Sequence, residues 1–115
     1  MRHRESEIQR NCVAWFRLQY PRLALLLFAV PNGGARWRTE AAIMKAEGVT
    51  AGVADLLFLY PAKGYHGLCI EMKTPDGKQQ ATQKAWQKAV EDAGYKYALC
   101  RSFEGFMDEI NAYLR

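Results

Sequence analysis

The chain has 115 residues, with 16 Lys or Arg against 12 Asp or Glu, which gives a formal charge of +4. This length fits one domain over residues 1–115 with a single hydrophobic core, and it excludes a catalytic domain joined to a separate recognition domain. The moderate positive charge favours a polyanion such as nucleic acid as the partner, although it also fits ordinary solubility. The apolar run over residues 23–30 is too short to span a bilayer, so we expect no membrane partner.

The three cysteines indicate a reducing compartment. Cys12, Cys69 and Cys100 each lie within an apolar pattern and show no Cys-x-x-Cys spacing. We therefore interpret them as small core residues, and we expect neither a zinc site nor a disulfide framework. This cysteine usage suits a reducing cytoplasm, so we expect a cytoplasmic location.

Hydrophobic periodicity and turn signals predict eight elements in the order α-β-α-β-β-α-β-α. In chain order they are a helix over residues 6–20, a buried strand over 25–30, a helix through 46, strands over 52–60 and 67–73, a helix over 80–93, a strand over 95–100 and a final helix after 102. Thr39 and Ser102 are suited to cap the second and fourth helices, and Pro21, Gly48 and Gly94 mark helix ends.

This order predicts an α/β fold in which helices flank a mixed sheet. The strands over residues 52–60 and 67–73 are joined by a tight reversal near Lys63 and Gly64, so they should be antiparallel. The helix between the strands over 67–73 and 95–100 implies a right-handed parallel crossover.

Three charged residues interrupt the two central apolar strands. Side chains alternate along a strand, so Ile70 and Met72 share one face while Glu71 and Lys73 share the other. The reversal between the strands can bring Asp55 close to Glu71. A buried charge needs compensation, which a divalent cation would give to two converging carboxylates.

Two interpretations of these charges remain open from the residues alone. Glu71 and Lys73 could be solubilising charges on the wet face of a half-exposed sheet. Alternatively, Asp55 and Glu71 bind a hard cation, Mg²⁺ or Mn²⁺, which prefers oxygen ligands and retains several waters. The glycine-bearing loop before Asp55 and the tight reversal favour the metal site.

The spacing from Asp55 to Glu71-Met72-Lys73 resembles the PD-(D/E)xK nuclease superfamily, and the surrounding sequence resembles its VRR-NUC nucleases. Ala54 departs from that pattern, because a proline usually precedes the aspartate. Further matching segments cover most of the chain: Glu5 to Gln9, Asn32 to Gly34, Gly48 to Asp55, and Gln83 with Trp86. The resemblance implies a restriction-endonuclease-like fold.

The resemblance also implies roles for individual residues. Asp55, Glu71 and the backbone carbonyl of Met72 would be metal ligands, and Lys73 would be the catalytic lysine. Lys73 could orient or deprotonate the attacking water and stabilise charge on the phosphate. Gln83 could orient a phosphate or water.

A further carboxylate is expected from the first helix, where the choice lies between Glu5 and Glu7. Glu5 lies beside the inward stripe with Gln9 and fits the family's Glu-x-x-Ile-Gln pattern, so we favour it as a catalytic residue. Either glutamate could instead only stabilise the helix N-terminus.

Nucleic-acid contact is expected near the glycine pair. Arg36, Trp37 and Arg38 combine two phosphate-binding guanidiniums with an aromatic ring that can stack on a base. Asn32 belongs to the preceding loop, where glycines allow the backbone to approach a phosphate. Such clusters also occur as ordinary packed or solvated residues.

The resulting hypothesis is a metal-dependent, structure-selective DNA endonuclease that hydrolyses phosphodiester bonds. The chain resembles the stand-alone bacterial and viral members of that family, and this resemblance implies branched DNA, such as a Holliday junction, as substrate and a homodimer as the active form. The alternative is a non-catalytic nucleic-acid-binding module in which the acidic cluster is structural. A nucleotide-binding enzyme is weaker, because the sequence has no phosphate-loop fingerprint.

Overall fold

The structure is a computed structural model that describes residues 2–31 and 38–115, with side chains described from residue 4 and, after the gap, from residue 41. It contains α1 (Arg2–Gln19), a 3-10 helix (Pro21–Leu26), β1 (Leu27–Ala29), α2 (Arg38–Ala46), β2 (Leu56–Phe58), β3 (Leu68–Met72), α3 (Ala81–Asp92), β4 (Lys96–Cys100) and α4 (Phe103–Leu114). Apart from the 3-10 helix, this is the predicted element order.

The four strands form one mixed sheet in the order β1-β2-β3-β4. β2 pairs antiparallel with both β1 and β3, and β3 pairs parallel with β4. The backbone reverses between β2 and β3 at Lys63 and Gly64, which both have positive φ angles. The predicted antiparallel and parallel pairings are therefore confirmed, and the mixed α/β fold with them.

One face of the sheet, which we call the apolar face, carries the main hydrophobic core. Alternate strand residues on this face pack against α1 and α4, as the alternation along β3 predicted. Each fully buried large side chain contributes about 1.5–3 kcal/mol of transfer free energy. The buried members are Cys12, Phe16, Leu27, Leu56, Phe58, Leu68, Ile70, Met72, Ala98, Cys100, Phe106, Ile110 and Tyr113.

The opposite face, which we call the site face, is partly covered by α3. Its buried apolar members are Ala54, Cys69 and Tyr97, and Trp86 and Val90 of α3 pack against them. This second cluster is small, so α3 covers only part of the sheet. All three cysteines are buried free thiols in these two clusters, which confirms them as core residues.

The prediction of a buried strand from Leu25 to Val30 was wrong for its first residues and for most of its burial, because in β1 only Leu27 is buried. Residues Pro21–Leu26 form the 3-10 helix, and Leu25 is 94% exposed. Pro21 stands at the first helical position, where its fixed φ favours a helical turn. A short apolar run cannot distinguish strand from helix by itself, so this run was open to either outcome.

No helix in the described ranges is both long and apolar enough to cross a membrane.

Candidate active site

The antiparallel pairing of β2 and β3 brings two carboxylates together. Leu56 pairs with Ile70, so the start of β2 lies beside the end of β3. Asp55 immediately precedes β2, and its Oδ2 accepts a hydrogen bond of 2.7 Å from the backbone N–H of Met72. Glu71, one residue earlier, directs its carboxylate to the site face, where it lies close enough to interact with Asp55.

A close backbone approach positions the segment before Asp55. Gly52 has a φ of +87°, which favours glycine, and a Cβ atom there would overlap the carbonyl oxygen of Thr82. The same Cβ would lie 3.0 Å from the backbone nitrogen of Gln83. The loop into β2 therefore contacts the first turn of α3, and this contact places Asp55 and α3 at one end of the sheet.

Glu71 is buried, with only 2% of its surface exposed. Its Oε2 accepts a hydrogen bond of 2.9 Å from Nε2 of Gln83, and its Oε1 accepts one of 3.1 Å from the hydroxyl of Tyr97. The Lys73 ammonium lies 3.9 Å from Oε2. This burial excludes the interpretation of Glu71 as a solubilising charge on a wet face.

The environment disfavours two negative charges at this point. Burial raises the pKa of Asp55, and burial followed by the charge of Asp55 raises the pKa of Glu71 to about 7. The Tyr97 hydrogen bond and the Lys73 charge oppose the rise at Glu71 without cancelling it. Both pKa shifts therefore favour a protonated carboxyl in the pair over two free carboxylates, and a cation beside the pair would oppose them.

These oxygen donors fit a hard divalent cation. In an extended strand the N–H and C=O of one residue point to the same neighbouring strand, so the Met72 carbonyl lies on the Asp55 side. In residues 2–31 and 38–115, no group of three or more His, Cys, Asp or Glu could hold a metal. Two carboxylates are thus the acidic part of the candidate site within the described chain.

Glu5 lies in the first turn of α1 and is partly exposed. Helix α1 packs on the apolar face through Cys12 and Phe16, whereas Glu71 lies on the site face. Among the described side chains, Glu5 makes no hydrogen bond or ion pair with Asp55 or Glu71. Its catalytic role, and the choice between Glu5 and Glu7, stay predictions.

Gln83 links the start of α3 to Glu71. Its Oε1 accepts a hydrogen bond of 2.8 Å from the backbone N–H of Gln80, and the Gln80 side chain accepts from the backbone N–H of Gln83. This reciprocal cap fixes the amide whose Nε2 holds Glu71. The predicted role of Gln83 in orienting a phosphate or water stays a prediction, while its contact with Glu71 is direct.

Sequence reasoning missed Tyr97 and Gln79. Tyr97 lies on β4, two residues from the Glu71 partner Leu99, and so projects from the same face as Glu71. Nε2 of Gln79 donates to the Tyr97 hydroxyl at 3.2 Å. A tyrosine inside an apolar strand was the available signal, because a buried hydroxyl requires a polar partner.

The loop after Lys73 is held by Arg101, which follows β4. Nη1 of Arg101 donates to the backbone carbonyls of Thr74 at 2.9 Å, Pro75 at 3.3 Å and Gly77 at 2.6 Å. The backbone N–H of Lys73 donates to Cys100 at 3.0 Å. The strand end that carries Lys73 is therefore fixed from the β4 side.

The expected nucleic-acid contacts fall largely outside the described residues. Asn32, Arg36 and Trp37 lie in the segment that the structure does not describe, and for Arg38 only the backbone, at the start of α2, is described. Their contact with nucleic acid stays a prediction.

Comparison with known proteins identifies the family of the chain. The sequence matches the VRR-NUC domain family over residues 3–104. A solved structure described as a VRR_NUC domain protein superposes with a TM-score of 0.84 at 26% sequence identity, covering 96% of this chain and 87% of the other. No curated protein sequence matches the chain. The chain therefore belongs to the VRR-NUC domain family, a nuclease domain type.

Proposed function

We propose that this protein is a metal-dependent DNA endonuclease that hydrolyses phosphodiester bonds in branched DNA. One observation carries the proposal: the adjacent carboxylates of Asp55 and Glu71, with the Lys73 ammonium 3.9 Å from Glu71. Such a group suits phosphodiester hydrolysis, because it combines cation ligands with a positively charged donor.

Asp55, Glu71 and the Met72 carbonyl are the residues that would hold Mg²⁺ or Mn²⁺. When bound, such an ion lowers the pKa of its water and neutralises phosphate oxygens. Asp55 has Oδ1 free of the Met72 hydrogen bond, and Glu71 is held in place by Gln83 and Tyr97. The protein therefore supplies prearranged oxygen donors.

In the proposed reaction, Lys73 acts on the attacking water and on the phosphate. Its side chain is 11% exposed, and the nearest acidic oxygen, Oε2 of Glu71, lies at 3.9 Å, longer than a hydrogen bond. The ammonium is therefore attracted to Glu71 but does not form a hydrogen-bonded ion pair with it. It can orient the water and stabilise charge that develops on the phosphate.

The branched substrate and a homodimer belong to the same proposal. One 115-residue domain carries one Asp55–Glu71 pair, whereas a two-fold junction presents two equivalent phosphates. Two copies related by a two-fold axis would present one site to each strand. Asn32, Arg36, Trp37 and Arg38 are the residues proposed to contact the DNA, and Glu5 the proposed further carboxylate.

The test is cleavage of labelled four-way-junction, flap and duplex DNA in Mg²⁺ or Mn²⁺, with EDTA as the control. Asp55→Asn and Glu71→Gln should each lower the cleavage rate at least about 1,000-fold, since each removes a metal-ligand charge. The matched control is Asp92→Asn on α3, whose carboxylate pairs at the surface with Lys88 and lies outside the site.

The two variants also separate an endonuclease from a binding module. In the endonuclease they should retain or strengthen DNA binding, because each removes negative charge that repels phosphate. A folded wild-type protein that binds all three DNAs and cuts none with either metal would instead establish the non-catalytic module.

Light scattering of the protein with and without junction DNA tests the dimer. Two copies per junction agree with the proposal. Cleavage of the junction by a species that stays monomeric throughout would contradict the dimer while leaving the endonuclease intact.

A further inference from the structure

The hydroxyl of Tyr97 is a buried polar group that the proposed chemistry does not use. Tyr97 is 9% exposed and lies in the small cluster of the site face. Its hydroxyl donates to Oε1 of Glu71 at 3.1 Å and accepts from Nε2 of Gln79 at 3.2 Å. Both the donor and the acceptor capacity of the hydroxyl are therefore engaged.

A chain of side-chain amides sets the direction of this hydrogen bond. At its far end Glu91 accepts from Nε2 of Gln87 at 3.2 Å, so Oε1 of Gln87 faces Gln79. Nε2 of Gln79 donates to that oxygen at 2.8 Å and uses its second N–H for Tyr97. Because the hydroxyl already accepts from an amide, its own proton is directed to Glu71.

We propose that Tyr97 is a positioning residue of the active site, which holds Glu71 through its hydroxyl proton, and that Gln79 and Gln87 set the direction of that proton. The proposal rests on the proposed function, because it concerns how Glu71 is prepared to bind a cation. Gln83 of α3 already donates a hydrogen bond to Glu71, and Tyr97 adds a second one from β4.

The two supports act on different oxygens of one carboxylate. Gln83 donates to Oε2 and Tyr97 to Oε1, which fixes the rotation of the carboxylate about its last bond. Each carboxylate oxygen has a further lone pair, so both remain able to bind a cation. Loss of such an outer hydrogen bond typically weakens metal binding 10- to 100-fold.

The decisive variant is Tyr97→Phe, which removes the hydroxyl and keeps the ring that packs beside Trp86. We expect the full-length variant to bind Mn²⁺ about 10-fold more weakly than wild type in calorimetry, with a melting temperature that shows it folded. The matched control is Tyr95→Phe, because the Tyr95 hydroxyl makes no hydrogen bond within the described residues. It should bind Mn²⁺ as wild type does.

A second variant tests the amide chain and covers the case in which Tyr97→Phe does not fold. Gln79→Ala leaves the Tyr97 hydroxyl in place but frees its proton to turn, so we expect about 3-fold weaker Mn²⁺ binding. The double variant should bind no more weakly than Tyr97→Phe alone, because Gln79 acts through Tyr97.

A folded Tyr97→Phe variant with wild-type Mn²⁺ affinity would overturn the inference while wild-type binding and cleavage stand. Losses that multiply in the double variant would overturn the role of Gln79. Where Tyr97→Phe does not fold, unchanged affinity in Gln79→Ala overturns the proposal. Absence of Mn²⁺ binding and of cleavage in the wild type would be a different result, since it removes the proposed function together with this inference.

Discussion

The two faces of β3 bury different kinds of side chain, with opposite effects on the free energy of the folded state. All five residues of the strand are buried, and Leu68, Ile70 and Met72 enter a large apolar cluster. On the other face Cys69 enters a small cluster, and Glu71 meets the polar side chains of Gln83 and Tyr97. Burial of apolar groups lowers the free energy of the folded state, and burial of a carboxylate raises it. One strand thus gains stability on one face and supports a charged site on the other.

After the two carboxylates, the largest expected effect on cleavage is on the site face, at Lys73. Lys73→Met should lower the cleavage rate about 100-fold, because it removes the positively charged donor that the proposed mechanism requires beside the phosphate. Mn²⁺ affinity should stay equal or rise, since one repelling positive charge is removed. Cleavage kinetics measure the rate, and calorimetry measures the Mn²⁺ affinity. Lys63→Met, in the reversal at the opposite end of β3, is the control; activity of Lys73→Met within a factor of three of wild type would remove Lys73 from the mechanism.

The apolar face should show the reverse behaviour at Phe58. Phe58→Ala removes a fully buried ring that contacts the rings of Phe16 and Tyr113, so we expect the free energy of unfolding to fall by about 3–5 kcal/mol. Denaturant titration measures this loss. Phe28→Ala on β1, where the residue is 38% exposed, should cost far less. Equal losses at both positions would contradict the assignment of the core to the apolar face.

Because a carboxylate is buried on the site face, the free energy of unfolding should depend on pH. The pKa of Glu71 is about 7 in the folded protein against an ordinary 4.5, so between these values the folded state holds a proton that the unfolded state has released. The free energy of unfolding should therefore fall by about 3 kcal/mol as pH rises from 4.5 to 7, and the raised pKa of Asp55 acts in the same direction.

Denaturant titrations between pH 4 and 8, in EDTA, measure this dependence. Glu71→Gln should flatten the profile and make the variant more stable than wild type above pH 7, because its amide has no charge to bury. A wild-type profile that rises through this window would show that Glu71 is stabilised as a carboxylate.

The features of the candidate site that depend on local strand geometry could be predicted from the sequence. The contacts that depend on the pairing of distant strands could not. Alternation along β3 alone places Glu71 and Lys73 on the face opposite Ile70 and Met72. Tyr97 reaches Glu71 only through the parallel register of β3 and β4, which is formed across α3 and has no local signature.

The error at Leu25 has a comparable origin. The apolar run around it suggested a buried strand, but only Leu27–Ala29 pair with β2, and Pro21 favours a helical turn before them. An apolar run predicts burial only where another element covers it, and coverage is a tertiary property.

The smallest expected effects compare two helix caps. The Ser102 side chain accepts from the backbone N–H of Gly105 at 3.0 Å and serves only α4, so Ser102→Ala should cost about 1 kcal/mol of unfolding free energy and leave Mn²⁺ affinity unchanged. Gln83→Ala breaks the cap of α3 and also the hydrogen bond to Glu71. It should cost a similar amount of stability and weaken Mn²⁺ binding about 10-fold.

Denaturant titration and calorimetry on the two cap variants measure both quantities. If Gln83→Ala loses stability but binds Mn²⁺ as tightly as wild type, the cap of α3 is only structural and Glu71 keeps its orientation without it. If Ser102→Ala also weakens Mn²⁺ binding, the two faces of the sheet are not independent, because a change confined to α4 would have reached the site across the strand that separates them.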